Sequence, residues 1–168
     1  MEMRAVRLVV RLARERSKNK WNMRKFVVNN IFLYFQERTV EIEDDLQGRV
    51  DDAKEDIKDL LEAYYEDNPD VLKDDGSVGY NDLDNESIDE IVGDCVPAYT
   101  SEIKGLWYFH GEDFLEAYKS EGLGDDPYEN NGAGAIYAYI RQEVVEWYFA
   151  NEEDICEEVR ERMREKKG

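Results

Sequence analysis

The charge of this chain is sorted along its length, and the sorting limits what the chain can fold into. Residues 1–40 carry ten Lys/Arg against three Asp/Glu, a net of +7. Residues 41–157 carry seven against thirty-five, a net of −28, and residues 158–168 carry five against three. A block of −28 repels itself across any compact surface. It can fold only if its acids stay in solvent, mounted on a scaffold that something else holds together. Three Trp, eleven Tyr and six Phe among 168 residues supply that something, since a disordered acidic tail has no such aromatic content. The length fits one domain with an appendage: a basic N-terminal arm over 1–40 and an acidic body over 41–168. A folded surface this negative is built to face something positive.

Several function classes fall away on motif chemistry. No GxGxxG, Walker, GxSxG or HExxH pattern occurs. The single histidine, His110, excludes a His-based metal cluster, and its place beside Gly111 suits an imidazole capping the last carbonyls of a helix. Asp74-Asp75-Gly76 invites a calcium-loop reading that fails on spacing. With Gly79 at the obligatory turn, Gly76 and Val78 stand where Asp or Asn must coordinate. Carboxylate pairs are too common here to mark a glycosidase. The chain is expected to be no enzyme, with no metal and no cofactor. Cys95 and Cys156 lie far apart with no CxxC, as reduced, buried thiols of a cytoplasmic protein do. No apolar run approaches the eighteen residues of a membrane span. Leu8, Val9 and Val10, bracketed by Arg7 and Arg11, are too short and too charged for a secretory core.

The hydrophobic spacing predicts a mostly α fold. Arg4, Arg7, Arg11 and Arg14 form one stripe of a helix over 3–16, and 22–38 is a buried helix or, over Phe26–Phe35, a strand. Leu46, Val50, Ala53, Ile57, Leu60, Leu61 and Tyr64 predict a helix over 41–67, stopped by Asn68-Pro69. A turn-rich stretch follows. Ser87-Ile88-Asp89-Glu90 reads as a capping box with Ser87 at the N-cap. Pro97 should kink or restart the helix, which runs on to about Phe109 and is ended by Gly111. Residues 112–131 read as a loop with one short helix over Phe114–Tyr118. From Gly132 to about Met163 one long helix is expected, with Ile136, Ile140, Val144, Trp147 or Tyr148, Ile155, Val159 and Met163 inward. Trp107, Tyr108, Phe109, Tyr137, Tyr139, Trp147, Tyr148 and Phe149 could stack bases, but the surrounding charge repels phosphates, so core and subunit interface are the sounder roles.

The run DLDNESIDEIVGDCVPAYTSEIKGLWY (82–108) resembles the acidic helix, Val-Pro break and Tyr-rich second helix of the phage Ocr anti-restriction proteins. The segment IYAYIRQEVVEWYFANEEDICEE (136–158) is similar to that family's long acidic C-terminal helix. With the Gly122-Leu123 loop, the likeness covers roughly 80–158, and 1–79 departs from it. Members of the family are elongated dimers that mimic bent DNA and occupy the DNA-binding cleft of Type I restriction–modification enzymes.

The resemblance implies a phage-encoded DNA mimic in the cytoplasm of an infected bacterial host. Its target would be a restriction–modification (or BREX-like) complex. It would bind no nucleic acid itself. The implied phosphate surrogates are Asp82, Asp84, Glu86, Asp89, Glu90, Asp94 and Glu102 on the first arm. On the long helix they are Glu143, Glu146, Glu152, Glu153, Asp154, Glu157 and Glu158. The implied dimer interface is Ile103–Phe109, anchored by Ile103, Leu106, Trp107 and Phe109. A dimer of the −28 block would match roughly 95 Å of duplex at one charge per ~1.7 Å. Two alternatives stay open. One keeps the mimicry and aims it at a CRISPR effector or another DNA enzyme. The other is an acidic chaperone or binding module for a basic partner protein. The basic arm either folds onto the acidic body as an internal counterion or grips the partner.

Overall fold

The structure, a computed structural model, describes residues 45–168. The expected helices over 3–16 and 22–38, the first residues of the 41–67 helix and the role of the basic arm lie outside the described residues. Within them the fold is all helix, as the spacing predicts, and there is no strand.

Helix α1 occupies 45–67. Leu46, Val50, Ala53, Ile57, Leu61 and Tyr65 recur at three and four residues and are all buried, the stripe of a helix packed on one side. Asn68 ends it: its side-chain amide donates to the Tyr64 carbonyl at 2.9 Å. Pro69 then opens the short α2, Pro69–Lys73, at the one helical position where a missing N–H costs nothing.

Helix α3 spans Asn85–Cys95, and its start corrects the expected cap. Asp84, not Ser87, is the N-cap: its carboxylate accepts from the Ser87 amide at 2.9 Å and from the Ser87 hydroxyl at 2.6 Å. The earlier start wins because it buries Leu83 just before the cap together with Ile88 four residues into the helix, a hydrophobic staple that a cap at Ser87 would forgo. Val96-Pro97 breaks the chain as expected, and Pro97 is buried.

Helix α4 runs Thr100–Glu121 without interruption. Gly111 does not end it, and the expected short helix over Phe114–Tyr118 is its last third. A Cβ on Gly111 would press on the Trp107 ring, so this glycine makes room for an indole one turn back. The true stop is Gly122, at φ 63, the left-handed position that glycine fills at least cost. His110 consequently lies inside a helix and not at its end; its ring sits 6.1 Å from Phe114.

Helix α5, Ala133–Lys167, is the long helix foreseen. Tyr148 is its inward aromatic, fully buried, while Trp147 is half-buried. The backbone leaves helical geometry at Asn151 (φ −129, ψ 19), and the Asn151 amide donates to the Trp147 carbonyl at 2.9 Å. Helix α5 packs along α4 and against α3.

The centre is unusually polar for so small a fold. The Tyr65 hydroxyl donates to the Gly76 carbonyl and the Tyr148 hydroxyl to the Val78 carbonyl, both at 2.7 Å. Arg160 reaches the Gly76 carbonyl at 3.1 Å, and the Val78 amide donates to the Cys156 Sγ at 3.4 Å. Four side chains from α1 and α5 thus satisfy the backbone of a loop that has no ladder of its own. That loop is pinned to the core. No described helix is long and apolar enough to cross a membrane.

Candidate functional site

Two helical faces carry the acids. On α3 the buried residues are Ile88, Val92 and Cys95. At about 100° per residue, Glu86, Glu90 and Asp94 fall on the opposite side, one turn apart. All three are exposed and make no ion pair among the described residues. On α5 the inward stripe is Ile136, Ile140, Val144, Tyr148, Ile155 and Val159. Glu143, Glu146, Glu153, Asp154 and Glu157 lie within an arc of about 100° on the far side. These five also have no ion pair among the described residues.

Spacing gives the second face a physical meaning. Residues 143–157 cover about 21 Å of helix axis, so the five acids of this face average one per ~4 Å. One DNA strand shows a charge every ~3.4 Å.

Five of the six remaining expected surrogates are already engaged. Asp84 is the cap just described, and Asp82 accepts from the Gly79 amide at 2.9 Å. Asp89 accepts from the Tyr137 hydroxyl at 2.7 Å and lies 4.0 Å from the Arg141 guanidinium. Glu102 pairs with Arg49, which also donates to the Cys95 carbonyl at the end of α3. Glu158 holds Lys58 at 3.0 Å and Arg162 at 2.8 Å. Glu152 is half-buried on the Tyr148 side of α5, where its charge helps to hold the Tyr148 phenol up. The first five of these are engaged in holding the fold, while Glu152 makes no ion pair among the described residues.

Ile103, Leu106 and Phe109, the expected dimer anchors, are buried in the single chain, and Trp107 is half-buried. The Trp107 indole N–H donates to the Gly132 carbonyl at 3.0 Å and its ring packs on Phe114 and Tyr128. The covering residues include those of α5 and the loop before it. Tyr99 and Tyr108 are the aromatics this stretch leaves exposed.

Sequence reasoning missed a third acidic face. Asp52, Asp56 and Asp59 of α1 recur at four and three, and they meet Asp94 of α3. The Asp56 carboxyl is pushed up by burial and then by the like charges of Asp59, Asp52 and Asp94. The same field acts on Cys95, whose thiol is raised by burial and then by Asp56, Asp52 and Asp94. A thiol so placed is no nucleophile. Both cysteines are free and buried.

The arginines are spent internally. Each arginine among the described residues pairs with a carboxylate: Arg49, Arg141, Arg160, Arg162 and Arg164. Asp75, of the rejected calcium loop, is held by Arg160 and Arg164. Among the described residues no group of His, Cys, Asp and Glu is arranged to hold a metal ion. What the surface can do chemically is present fixed negative charge. A scan of protein-family models and searches of curated proteins and of solved structures found no match to this chain.

Proposed function

We propose that this protein is a DNA mimic that occupies the DNA-binding cleft of a host defence complex, a Type I restriction–modification or BREX-like enzyme. The observation that carries the reading is the division of labour among the acids. The five arginines of the described residues, with Lys58 and Lys166, are used up in ion pairs inside the molecule, while Glu86, Glu90 and Asp94 on one helix and Glu143, Glu146, Glu153, Asp154 and Glu157 on another are left without ion pairs among the described residues. A chain selected for stability alone would pair or dilute such charge, because self-repulsion weakens the compact state. The likeness of residues 82–108 and 136–158 to the Ocr proteins supports the same reading.

The mechanism is competition. A cleft shaped for phosphates meets carboxylates at a similar pitch, and fast, salt-sensitive association follows. Assembly as a homodimer belongs to this proposal, and its contact would draw on the exposed Tyr99 and Tyr108. The test is displacement of labelled duplex from purified restriction and CRISPR complexes at physiological salt, beside a gel shift with bare duplex. Release from a restriction complex without any shift of bare DNA is the expected result. Release from a CRISPR effector alone would move the target, and a shift of bare duplex without displacement would refute the mimicry.

A further inference from the structure

The turn that leads into α5 carries the one Asn-Gly pair of the chain, Asn131-Gly132. Three consecutive residues there have positive φ: Asn130 at 52, Asn131 at 62 and Gly132 at 86. Glycine adopts this backbone freely; a residue with a Cβ does so at a cost, which Asn bears better than most. Gly132 is buried, and an added Cβ would run into the Trp107 indole. Its carbonyl accepts from the Trp107 N–H at 3.0 Å. Asn131 is exposed, and its side-chain amide makes no hydrogen bond among the described residues. An exposed carboxamide thus stands next to a backbone nitrogen that no side chain of its own residue shields.

We infer that Asn131 is a site of spontaneous deamidation, gated by the hydrogen bond between Trp107 and Gly132. The step needs only water. The Gly132 backbone nitrogen, its proton lost to hydroxide, attacks the Asn131 Cγ. A new C–N bond closes a five-membered succinimide, the Cγ–Nδ2 bond breaks, and the side-chain nitrogen takes a proton from water and leaves as ammonia. Water then opens the ring. Attack at the backbone carbonyl gives isoaspartate, and attack at the side-chain carbonyl gives aspartate. At ψ 15 the Gly132 nitrogen is turned away from the Asn131 Cβ, so the ring closes only after the peptide between them rotates. Rotation relieves the left-handed backbone of Asn131, but it swings a glycine that is anchored to the indole. The anchor therefore sets the rate. Isoaspartate lengthens the main chain by one methylene at this joint and carries the Gly132 carbonyl off Trp107, which loosens α4 from the start of α5. Aspartate adds a carboxylate just ahead of α5, whose start has no side-chain cap and no acid in its first turn, a place where negative charge is favourable.

The experiment ages the full chain in neutral buffer and follows every asparagine by peptide mass mapping. An isoaspartyl carboxyl methyltransferase with a labelled methyl donor counts the isoaspartate. Conversion at Asn131 should outrun that at each other asparagine several-fold. Trp107→Phe keeps a ring and removes only the indole donor; conversion should then speed up several-fold. Wild type in rising sub-denaturing urea gives the same reading without a substitution, with the rate at Asn131 climbing in step with hydrogen exchange of the Trp107 indole N–H. Another asparagine converting first, or Asn131 converting only once the chain is fully unfolded, would overturn the site. A rate that ignores both the substitution, in a variant shown to be folded by its melting curve, and the exchange of the indole N–H would overturn the gate.

Discussion

At Asp56 the cost of gathering negative charge can be read on one side chain. Asp52 lies one turn before it, Asp59 one turn after, and Asp94 approaches from α3. Burial and these neighbours hold its carboxyl above the ordinary 3.8. A raised acid disfavours its own charged state in the fold. The destabilisation is therefore fully present above the raised value and is relieved as pH falls through it. Asp56→Asn should stabilise the protein at pH 7 by about 0.5 kcal/mol at low salt, the size of one or two like-charge contacts on a helix. Urea unfolding would show the gain shrinking at high salt and closing toward pH 4. An unchanged or lowered midpoint at low salt would mean that the four aspartates are not the repulsive cluster described here. The trio was open to sequence reasoning, since Asp52, Asp56 and Asp59 sit at helical spacing. Their meeting with Asp94 was not, because it depends on how α1 lies against α3.

Between elements the same charges bind. Lys58 of α1 donates to Glu55 at 3.0 Å and to Glu158 of α5 at 3.2 Å, while Arg162 returns to both acids. Burial pulls the Lys58 ammonium down, but the hydrogen bonds of Glu55 and Glu158 outweigh it and leave it raised. Glu55 and Glu158 are lowered in turn, chiefly by Lys58. Lowered acids contribute stability above their ordinary 4.5 and lose it as pH falls through the depressed value. Lys58→Met should cost about 1 kcal/mol at pH 7, from the lost pairs and the lost contact with Trp147. The difference from wild type should narrow below about pH 4.5. A second joint is Gly132, at φ 86, where an added Cβ would run into the Trp107 indole. Gly132→Ala combines left-handed strain with overpacking and should cost about 2–4 kcal/mol, which thermal unfolding would register as a large fall in Tm. The existence of α1, α3 and α5 was legible because apolar residues repeat on one face whatever packs there. Two boundaries were not. Gly111 reads as a stop unless the Trp107 ring beside it is seen, and Ser87 reads as a cap unless Leu83 is seen to be buried with Ile88. Both depend on tertiary partners. For the same reason Ile103, Leu106 and Phe109 read as interface, since a helical stripe does not say whether its cover comes from the same chain.

Over the whole molecule, the acids divide into those that hold the fold and those that face outward, and this division can be tested by neutralising them in groups. One group is Glu86→Gln, Glu90→Gln and Asp94→Asn on α3; another is Glu146→Gln, Glu153→Gln and Glu157→Gln on α5. Neither group makes an ion pair among the described residues, so both variants should fold at least as well as wild type. A third group, Glu55→Gln, Glu62→Gln and Glu158→Gln, removes the acids that hold Lys58, Arg162 and Lys166. Its melting temperature should fall. If the outward acids stand in for phosphates, displacement of duplex by the first two variants should weaken in roughly equal steps. Each carboxylate in contact should take about one unit from the salt slope, as a lost phosphate contact does. No single substitution should abolish the effect, because charge spread along two helices spreads its energy too. The third variant, compared well below its melting point, should keep most of its potency. The opposite pattern, with inhibition insensitive to both outward groups and lost with the third, would place the partner on the face shared by α1 and the end of α5, where the acids already hold cations of their own.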